Sequence, residues 1–514
     1  MRIAAVLVAC LTLGACTPPL RRPAVAAGPS PSERLAAADL LLKAGCFDCL
    51  AGAYREYDTL RSVASASDAA TAGAARAAAL LAIRERELGT EDSGYLNRAQ
   101  ELAAATGAAQ PALPLLLQIA ETLPTRGAGR QVNDDIELAR MQTGLRNHDV
   151  WTEQLRTRAD ADPLTAYLWL GFNCAYVPAS QQNIDEWLAR IPSWRDTPLM
   201  AFKAAICGSF DSKALDRLFQ SDARFVELNY YLGLSATFAG KIDDAMDRLQ
   251  RAYVWRPRWP AVTNSLAGDY VSLEDFDTGI EFYDRTLAVV PSFADALLDK
   301  TKAQTYAGKP ADAIVTADRL LALGHWFVGD ARYWRALNET QLEQHDAAWD
   351  DVELAAKLIQ NAAVPKLAGI IAYRRHQLDV ARGKFEESRG RNREDCETGF
   401  YLGIVLGEQA AWSRTAEVLG ETGACLVKAE KSLNDEIANL RASPTDHPDR
   451  QARQILKREQ QIASGRRMMA TSWFNIAVSY YSLKRNDEAR QYAERVIDDE
   501  QFGERARDLL SRLR

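Results

Sequence analysis

Apolar positions along the chain follow helical rather than strand-like spacing. Residues 66 to 120 are rich in Ala and Leu, without the two-residue alternation of a half-buried strand. Near the N-terminus a helix is predicted to begin after Ser30, because Ser30 can cap it, Pro31 occupies its first position and Glu33 completes a capping box. A turn at Gly45 and a second apolar run follow. These patterns predict an all-α body that opens with a helical hairpin.

A second pattern repeats every 34 residues between positions 226 and 291. Each key residue of the first copy has a counterpart 34 positions later in the second. In chain order the two copies carry Asn229, Leu232, Gly233, Ala236, Ala245, Leu249, Ala252 and Pro257, and then Thr263, Leu266, Ala267, Tyr270, Gly279, Tyr283, Thr286 and Pro291. The spacing is that of W-x2-L-G-x2-Y, followed by A-x3-F and P. The stretch therefore resembles the tetratricopeptide repeat.

This resemblance implies a superhelical solenoid of antiparallel helix pairs whose concave groove is lined by the first helix of each pair. It also implies a protein that holds other proteins. The groove-facing positions implied by the resemblance are Glu227, Tyr230, Leu234, Phe238, Asn264, Phe474 and Tyr481. The alternative is that the aromatic residues among them belong to the core. The Lys and Asn pattern with which some members grip a C-terminal carboxylate is not matched, so chaperone docking of that kind is not expected.

The repeat register extends beyond the two clear copies. It predicts units beginning at residues 226, 260, 294, 329, 362, 396 and 470, and the last interval exceeds 34 by 40 residues. Within the extra residues, Leu433 and Ile437 recur at helical spacing before a Pro-containing turn, and Ile455 and Ile462 recur after it. We therefore expect a protruding helical hairpin near residues 430–465, with a charged outer face.

The register and composition together suggest a division of the chain into six parts. These are a signal peptide (1–15), a lipidated cysteine with a Pro-rich tether (16–31), degenerate TPR-like helical pairs (32–222), the TPR array (223–427), the inserted hairpin (428–466), and the last repeat with a C-terminal capping helix (467–514). The capping helix is expected because the end of a repeat stack must be covered.

The first 16 residues indicate the compartment. A positively charged start and a short apolar run precede Leu-Gly-Ala-Cys, which ends at Cys16. This motif resembles the lipobox of bacterial lipoproteins, and the resemblance implies that Cys16 is lipidated and anchors the chain in the membrane. Lipoproteins that are retained in the inner membrane often have Asp after the lipidated cysteine, so by the same resemblance Thr17 implies the outer membrane, with the body facing the periplasm. The alternative is an ordinary secretory signal that contains a cysteine.

Six of the eight cysteines remain after Cys10 and Cys16 are set aside. An even number in an oxidising compartment suggests disulfides. The repeat register places Cys396 and Cys425 at adjacent ends of one helix pair, and Cys174 and Cys207 near the ends of successive first helices; buried free thiols are the alternative. Cys46 and Cys49 form a C-x-x-C motif, which is read either as a local structural disulfide or as a redox site at a helix N-terminus.

Other chemistry-bearing patterns are missing from the sequence. The five histidines stand alone, with no H-E-x-x-H, and Gly240-Lys241 is followed by Ile242 rather than the Ser or Thr of a phosphate loop. A net charge of −7 argues against nucleic-acid binding. We therefore expect a non-enzymatic scaffold without metal or cofactor, which binds other envelope proteins or peptide segments. The alternative function is an envelope thiol–disulfide factor that uses Cys46 and Cys49.

Overall fold

The computed structural model describes residues 28–90, 92–106, 113–123, 135–159, 163–177, 180–194, 197–207, 211–443 and 447–513. The predicted signal peptide, Cys16 and most of the tether lie outside these residues. Twenty-five α-helices and one 3-10 turn account for the secondary structure of the described residues, which contain no strand. The predicted all-α class is confirmed.

Ten helices precede the array. They are α1 (Pro31–Ala44), α2 (Phe47–Leu60), α3 (Ser67–Leu88), α4 (Tyr95–Thr106), α5 (Leu113–Thr122), α6 (Asp135–Ala159), α7 (Pro163–Tyr176), α8 (Gln181–Ala189), α9 (Pro198–Ile206) and α10 (Ser212–Ser221). The predicted start of α1 is confirmed, because the Ser30 side chain accepts from the Glu33 N–H while Glu33 accepts from the Ser30 N–H. The helix ends at Gly45, whose φ of 74° is left-handed.

The Ala-rich α3 lies at the centre of this N-terminal part. Small side chains on most of its faces let α1, α2, α4 and α5 pack against it, and fifteen of its 22 residues are buried. At Gly73 a Cβ atom would lie 2.5 Å from the Tyr57 ring, so only glycine allows α2 and α3 to approach this closely. The Ala-rich composition that predicted a helix here thus also allows α3 to be buried in the core.

Fifteen further helices form the array. They are α11 (Leu228–Phe238), α12 (Ile242–Trp255), α13 (Pro260–Ser272), α14 (Phe276–Val289), α15 (Ala294–Tyr306), α16 (Pro310–Ala322), α17 (Val328–Gln341), α18 (His345–Ala356), α19 (Ala363–Arg374), α20 (Leu378–Arg391), α21 (Cys396–Glu408), α22 (Trp412–Ala442), α23 (Pro448–Ser482), α24 (Asn486–Glu494) and α25 (Gly503–Arg512). Consecutive helices from α11 to α24 pair into units 1 to 7. The predicted solenoid of antiparallel helix pairs is confirmed.

A left-handed residue marks the turn between the two helices of every unit. These residues are Gly240, Glu274, Gly308, Glu343, His376, Ala410 and Lys484, with φ between 56° and 71°. They reproduce the predicted intervals of 34, 34, 35, 33, 34 and 74 residues. The N–H of the following residue bonds to a carbonyl five residues earlier, as Asp275 does with Tyr270 at 2.9 Å. This closing bond requires the left-handed conformation, even where the residue is not glycine.

The first helices line the inner side of the array. Each first helix packs against the first helix of the next unit, whereas successive second helices approach each other less closely. Two clefts open between neighbouring helices: one of 660 Å³ lined by α10, α11 and α12, and one of 550 Å³ lined mainly by α20 and α22. We call the exposed side of the first helices the inner face.

The inserted hairpin is formed by the outer halves of α22 and α23, which run for 31 and 35 residues as direct continuations of repeat helices. The predicted helical hairpin is confirmed. Its two helices bury Ile437 and Ile462. Ion pairs such as Arg441–Glu459 (3.0 Å) link the two helices along their length. The hairpin therefore has its own apolar seam, as an antiparallel helix pair requires.

Candidate functional site

The inner face of units 1 and 2 contains four of the predicted groove residues. Phe238 is 85% exposed at the C-terminal end of α11, and Leu234 one turn earlier is half-buried. Tyr230 is partly covered, because its ring lies 4.8 Å from that of Trp259. Asn264 is half-buried, and its side-chain oxygen has no hydrogen-bond partner. The accessible part of this surface is mainly apolar and aromatic, since the Asn264 side-chain oxygen is itself buried.

Two other predicted groove residues are buried. Phe474 stacks on Phe502 at 5.0 Å and is 5% exposed, because the segment that leads into the capping helix covers it. Glu227 is fully buried at the N-terminus of α11, where it meets the N-terminal part of the chain. For Phe474 the core alternative is therefore correct. Tyr481 of the last unit is 38% exposed and remains a candidate.

The inner face of the middle units adds aromatic residues that the sequence reading did not single out. Tyr306 is 55% exposed and lies two repeats, or 68 residues, after Phe238. Tyr333 and Tyr373 are half-buried, and the Tyr373 hydroxyl donates to Glu408 at 2.6 Å. Burial and this hydrogen bond raise the pKa of Tyr373 to about 12, so the hydroxyl stays protonated. Moving two 34-residue repeats along the sequence from Phe238 would have predicted Tyr306 as a groove residue.

The α23 arm of the hairpin contacts the first units of the array. Residues 447–458, which are the N-cap and the first turns of α23 and which we call the strap, contact the helix-to-helix turns of units 1 and 2. Arg450 pairs with Asp243, and His447 lies 3.7 Å from the same carboxylate. Arg458 and Lys457 both pair with Glu274, at 2.7 and 3.4 Å. The strap therefore joins the helix of the last unit to the first two units.

Further contacts extend the strap toward unit 3. Arg453 lies 3.6 Å from Asp275, and the Lys457 ammonium lies 5.0 Å above the ring of Phe276 and 5.9 Å above that of Tyr306. A cation at this distance over a ring is attracted by its negative face. Since Tyr306 belongs to the inner face, the strap passes along its rim.

A buried charged cluster joins the N-terminal helices to unit 1. Arg84 of α3 pairs with Glu87 on its own helix and with Glu227 of unit 1, while Lys203 of α9 also pairs with Glu87. The Tyr167 hydroxyl donates to Glu87 at 2.5 Å. All five side chains are almost completely buried. Nothing in the spacing of the sequence indicated that these distant residues meet.

The two carboxyls of this cluster have opposite pKa shifts. Burial would raise the pKa of Glu87, but Lys203 and Arg84 lower it to about 2, so this group is a carboxylate at every physiological pH. Burial raises the pKa of Glu227, and the neighbouring cation, Arg84, offsets this rise only in part. The Arg84 guanidinium also lies 4.4 Å over the Phe202 ring. The cluster is a structural junction rather than a solvent-accessible acid–base pair.

The six cysteines of the body lie in pairs. Disulfides join Cys396 to Cys425 and Cys174 to Cys207, with Cα atoms 5.6 and 5.4 Å apart. Cys46 and Cys49 form a third, with Cα atoms 5.0 Å apart. Cys46 is fully buried and Cys49 is 4% exposed. Because thiol–disulfide exchange requires access for the attacking thiolate, this burial argues against the redox alternative.

Among the described residues, no cluster of three or more His, Cys, Asp or Glu side chains has the geometry of a metal site. None of the described helices is long and apolar enough to span a membrane.

The chain is similar to several solved structures of repeat proteins. YrrB, a TPR protein with an unusual peptide-binding site, is 14% identical with a TM-score of 0.33, over 45% of this chain and 99% of its own. A tetratricopeptide repeat protein from Parabacteroides merdae is 14% identical with a TM-score of 0.35, over 48% and 93%. The APC/C hetero-tetramer Cut9–Hcn1 is 14% identical with a TM-score of 0.39, over 94% and 96%. No family profile and no curated protein matches the chain.

Proposed function

We propose that this chain is a membrane-anchored scaffold of the cell envelope that binds other proteins through the inner face of its array. The observation that carries the proposal is the row of exposed and half-exposed aromatic residues on successive first helices, which includes Phe238, Tyr306, Tyr333 and Tyr373. Aromatic side chains are enriched at protein interfaces, because each supplies a large rigid contact area. The partner that binds to these aromatic residues is an envelope protein or a segment of one.

The proposal is tested by two matched variants in unit 1. Phe238→Asp places a charge on the inner face, and Val254→Asp places one on the second helix, where Val254 is 70% exposed. Both residues are largely exposed, so neither change should unfold the array. We expect Phe238→Asp to reduce recovery of specific envelope proteins in affinity capture several-fold, and Val254→Asp to leave it unchanged. Equal recovery with both variants would show that the inner face is not the binding surface.

The anchor is a separate part of the proposal. It rests on the Leu-Gly-Ala-Cys motif that ends at Cys16 and on the outer-membrane preference of Thr17. We expect Cys16→Ser to release the protein from the membrane fraction, and the mature wild-type N-terminus to carry a diacylglycerol mass. A variant that stays in the membrane fraction at high salt, with no lipid mass on the wild type, would refute the anchor without affecting the inner-face result.

A further inference from the structure

The strap closes the array on itself. It belongs to α23, whose C-terminal part is the first helix of unit 7, yet its N-terminal part contacts the turns of units 1 and 2 and the rim at unit 3. From Lys457 to the start of unit 7 at Ala470, the helix spans about 20 Å at roughly 1.5 Å per residue. The hairpin thus bridges from the last unit back to the first, and the array and strap together form a closed loop.

The contacts that close this loop are almost entirely ionic. Basic side chains of the strap face the acidic turn residues Asp243, Glu274 and Asp275. Ile437 and Ile462 are buried on α22 and α23, which pack closely against each other. Asp243 is 69% exposed and Arg453 is 45% exposed. Exposed pairs such as Arg453–Asp275 are screened by salt and exchange easily with water, whereas the less exposed pair of Arg458 with Glu274 is screened less.

The central residue of the contact is Glu274. It receives both Lys457 and Arg458, its side chain is 13% exposed, and its second carboxylate oxygen is buried without a hydrogen-bond partner. Glu274 also occupies the left-handed turn position, with a φ of 63°. The equivalent position in unit 4 is Glu343, with a φ of 60°, which lies on the exposed edge of the array. Glu274 pairs with basic residues of the strap and Glu343 lies at an exposed turn, but the two glutamates have the same backbone conformation.

We propose that the strap is an ion-pair latch that closes the array and controls access to its inner face. The hairpin keeps its own apolar seam when the latch opens, so opening moves the hairpin as one body and unfolds nothing. This inference rests on the proposed function, because it takes the inner face, to which the latch controls access, as the binding surface. The tests below use no partner protein, so they are decided independently of whether a partner is found.

The first test measures the distance that the latch holds. Nitroxide labels are placed at Ala239→Cys on the turn of unit 1 and at Ala452→Cys in the strap, both of which are exposed. The full chain carries Cys10→Ser and Cys16→Ser, so that only the introduced thiols react. Double electron–electron resonance in low salt should give one short distance in this background. Glu274→Lys should shift the distribution to longer distances, as should about 1 M NaCl, at which the Debye length falls to about 3 Å.

The controls separate the latch from a general effect of charge reversal. Glu343→Lys makes the same change in the same backbone conformation and should keep the short distance. Adding Lys457→Glu to Glu274→Lys exchanges the two charges and should restore most of the short-distance population. The latch proposal is refuted if the distance distribution is the same in Glu274→Lys as in Glu343→Lys and is the same in low salt as in high salt.

The second test measures access. A thiol at Leu234→Cys on the inner face is reacted with N-ethylmaleimide and with a maleimide that carries a large polyethylene glycol chain. The reaction rate of the large maleimide, divided by that of N-ethylmaleimide, should rise several-fold in Glu274→Lys and stay unchanged in Glu343→Lys. If the distance lengthens but this ratio does not rise, the claim that the latch controls access is overturned.

Discussion

Ala410 holds a left-handed backbone at the turn of unit 6, with a φ of 56°. A Cβ atom in this conformation crowds the adjacent carbonyl, which costs about 1–2 kcal/mol relative to glycine. We therefore expect Ala410→Gly to raise the free energy of unfolding by about 1 kcal/mol, after the greater entropy of glycine in the unfolded chain is subtracted. Urea denaturation followed by circular dichroism measures the change.

The same substitution in a helix supplies the control. Ala424 is exposed in the interior of α22. There Ala424→Gly should lower the free energy of unfolding by about 1 kcal/mol, because glycine is a poor helix former. If both variants lose stability, the left-handed conformation at Ala410 is not present in solution.

These turns also show what can be predicted from single residues. Gly240 and Gly308 are ordinary turn signals, but Glu274, Glu343, His376, Ala410 and Lys484 occupy the same conformation without any compositional cue. The position of each turn was nevertheless predictable from the 34-residue register, since packing between repeats fixes where each first helix must stop. Phe474 was misplaced because the register identifies a face of the helix but not the Phe502 ring that covers it.

At the level of elements, the buried cluster couples α3 to unit 1 through Arg84 and Glu227. Arg84→Met leaves the Glu227 carboxylate buried without that cation and removes one of the two cations that contact Glu87. Breaking a buried pair in this way costs about 3–5 kcal/mol. We expect a large loss of thermal stability, with hydrogen exchange rising first in α1 to α3 and α11.

Two further variants check the cause of this loss. Adding Glu227→Leu to Arg84→Met removes the stranded charge, and should recover most of the stability because apolar replacement of a buried ion pair is often nearly neutral. Arg34→Met breaks a pair in which both side chains are about one-third exposed and should cost less than about 1 kcal/mol. A double variant as unstable as Arg84→Met would show that packing, rather than charge, holds this junction.

The elements were predictable to different degrees. The helix pairs, the hairpin and the start of α1 followed from apolar spacing, capping residues and the repeat period, all of which are local. The cluster was not predictable, because Arg84 and Glu227 are 143 residues apart and no periodic pattern links the N-terminal helices to the array. The strap contacts were hidden for the same reason, since Asp243 and Arg450 are 207 residues apart and meet only because the units between them curve around.

At the scale of the whole molecule, the chain is a curved array whose inner face carries aromatic residues and whose opening is bridged by its own hairpin. The two clefts are lined by charged side chains that largely pair with one another, such as Arg393 with Glu421 at 2.9 Å. Internal pairing leaves these clefts little charge for a partner. The inner face is therefore the surface on which the proposed scaffold function most directly depends.

Site-specific photocrosslinking in the intact envelope can show whether partners bind at the inner face. A photoreactive residue is placed at Phe238 or Tyr306 on first helices, and at Val254 or Val315 on second helices; all four positions are more than half exposed. We expect both first-helix positions to crosslink to the same discrete envelope protein, and neither second-helix position to do so. Crosslinks from the second helices alone, or none from any position in the native envelope, would contradict binding at the inner face.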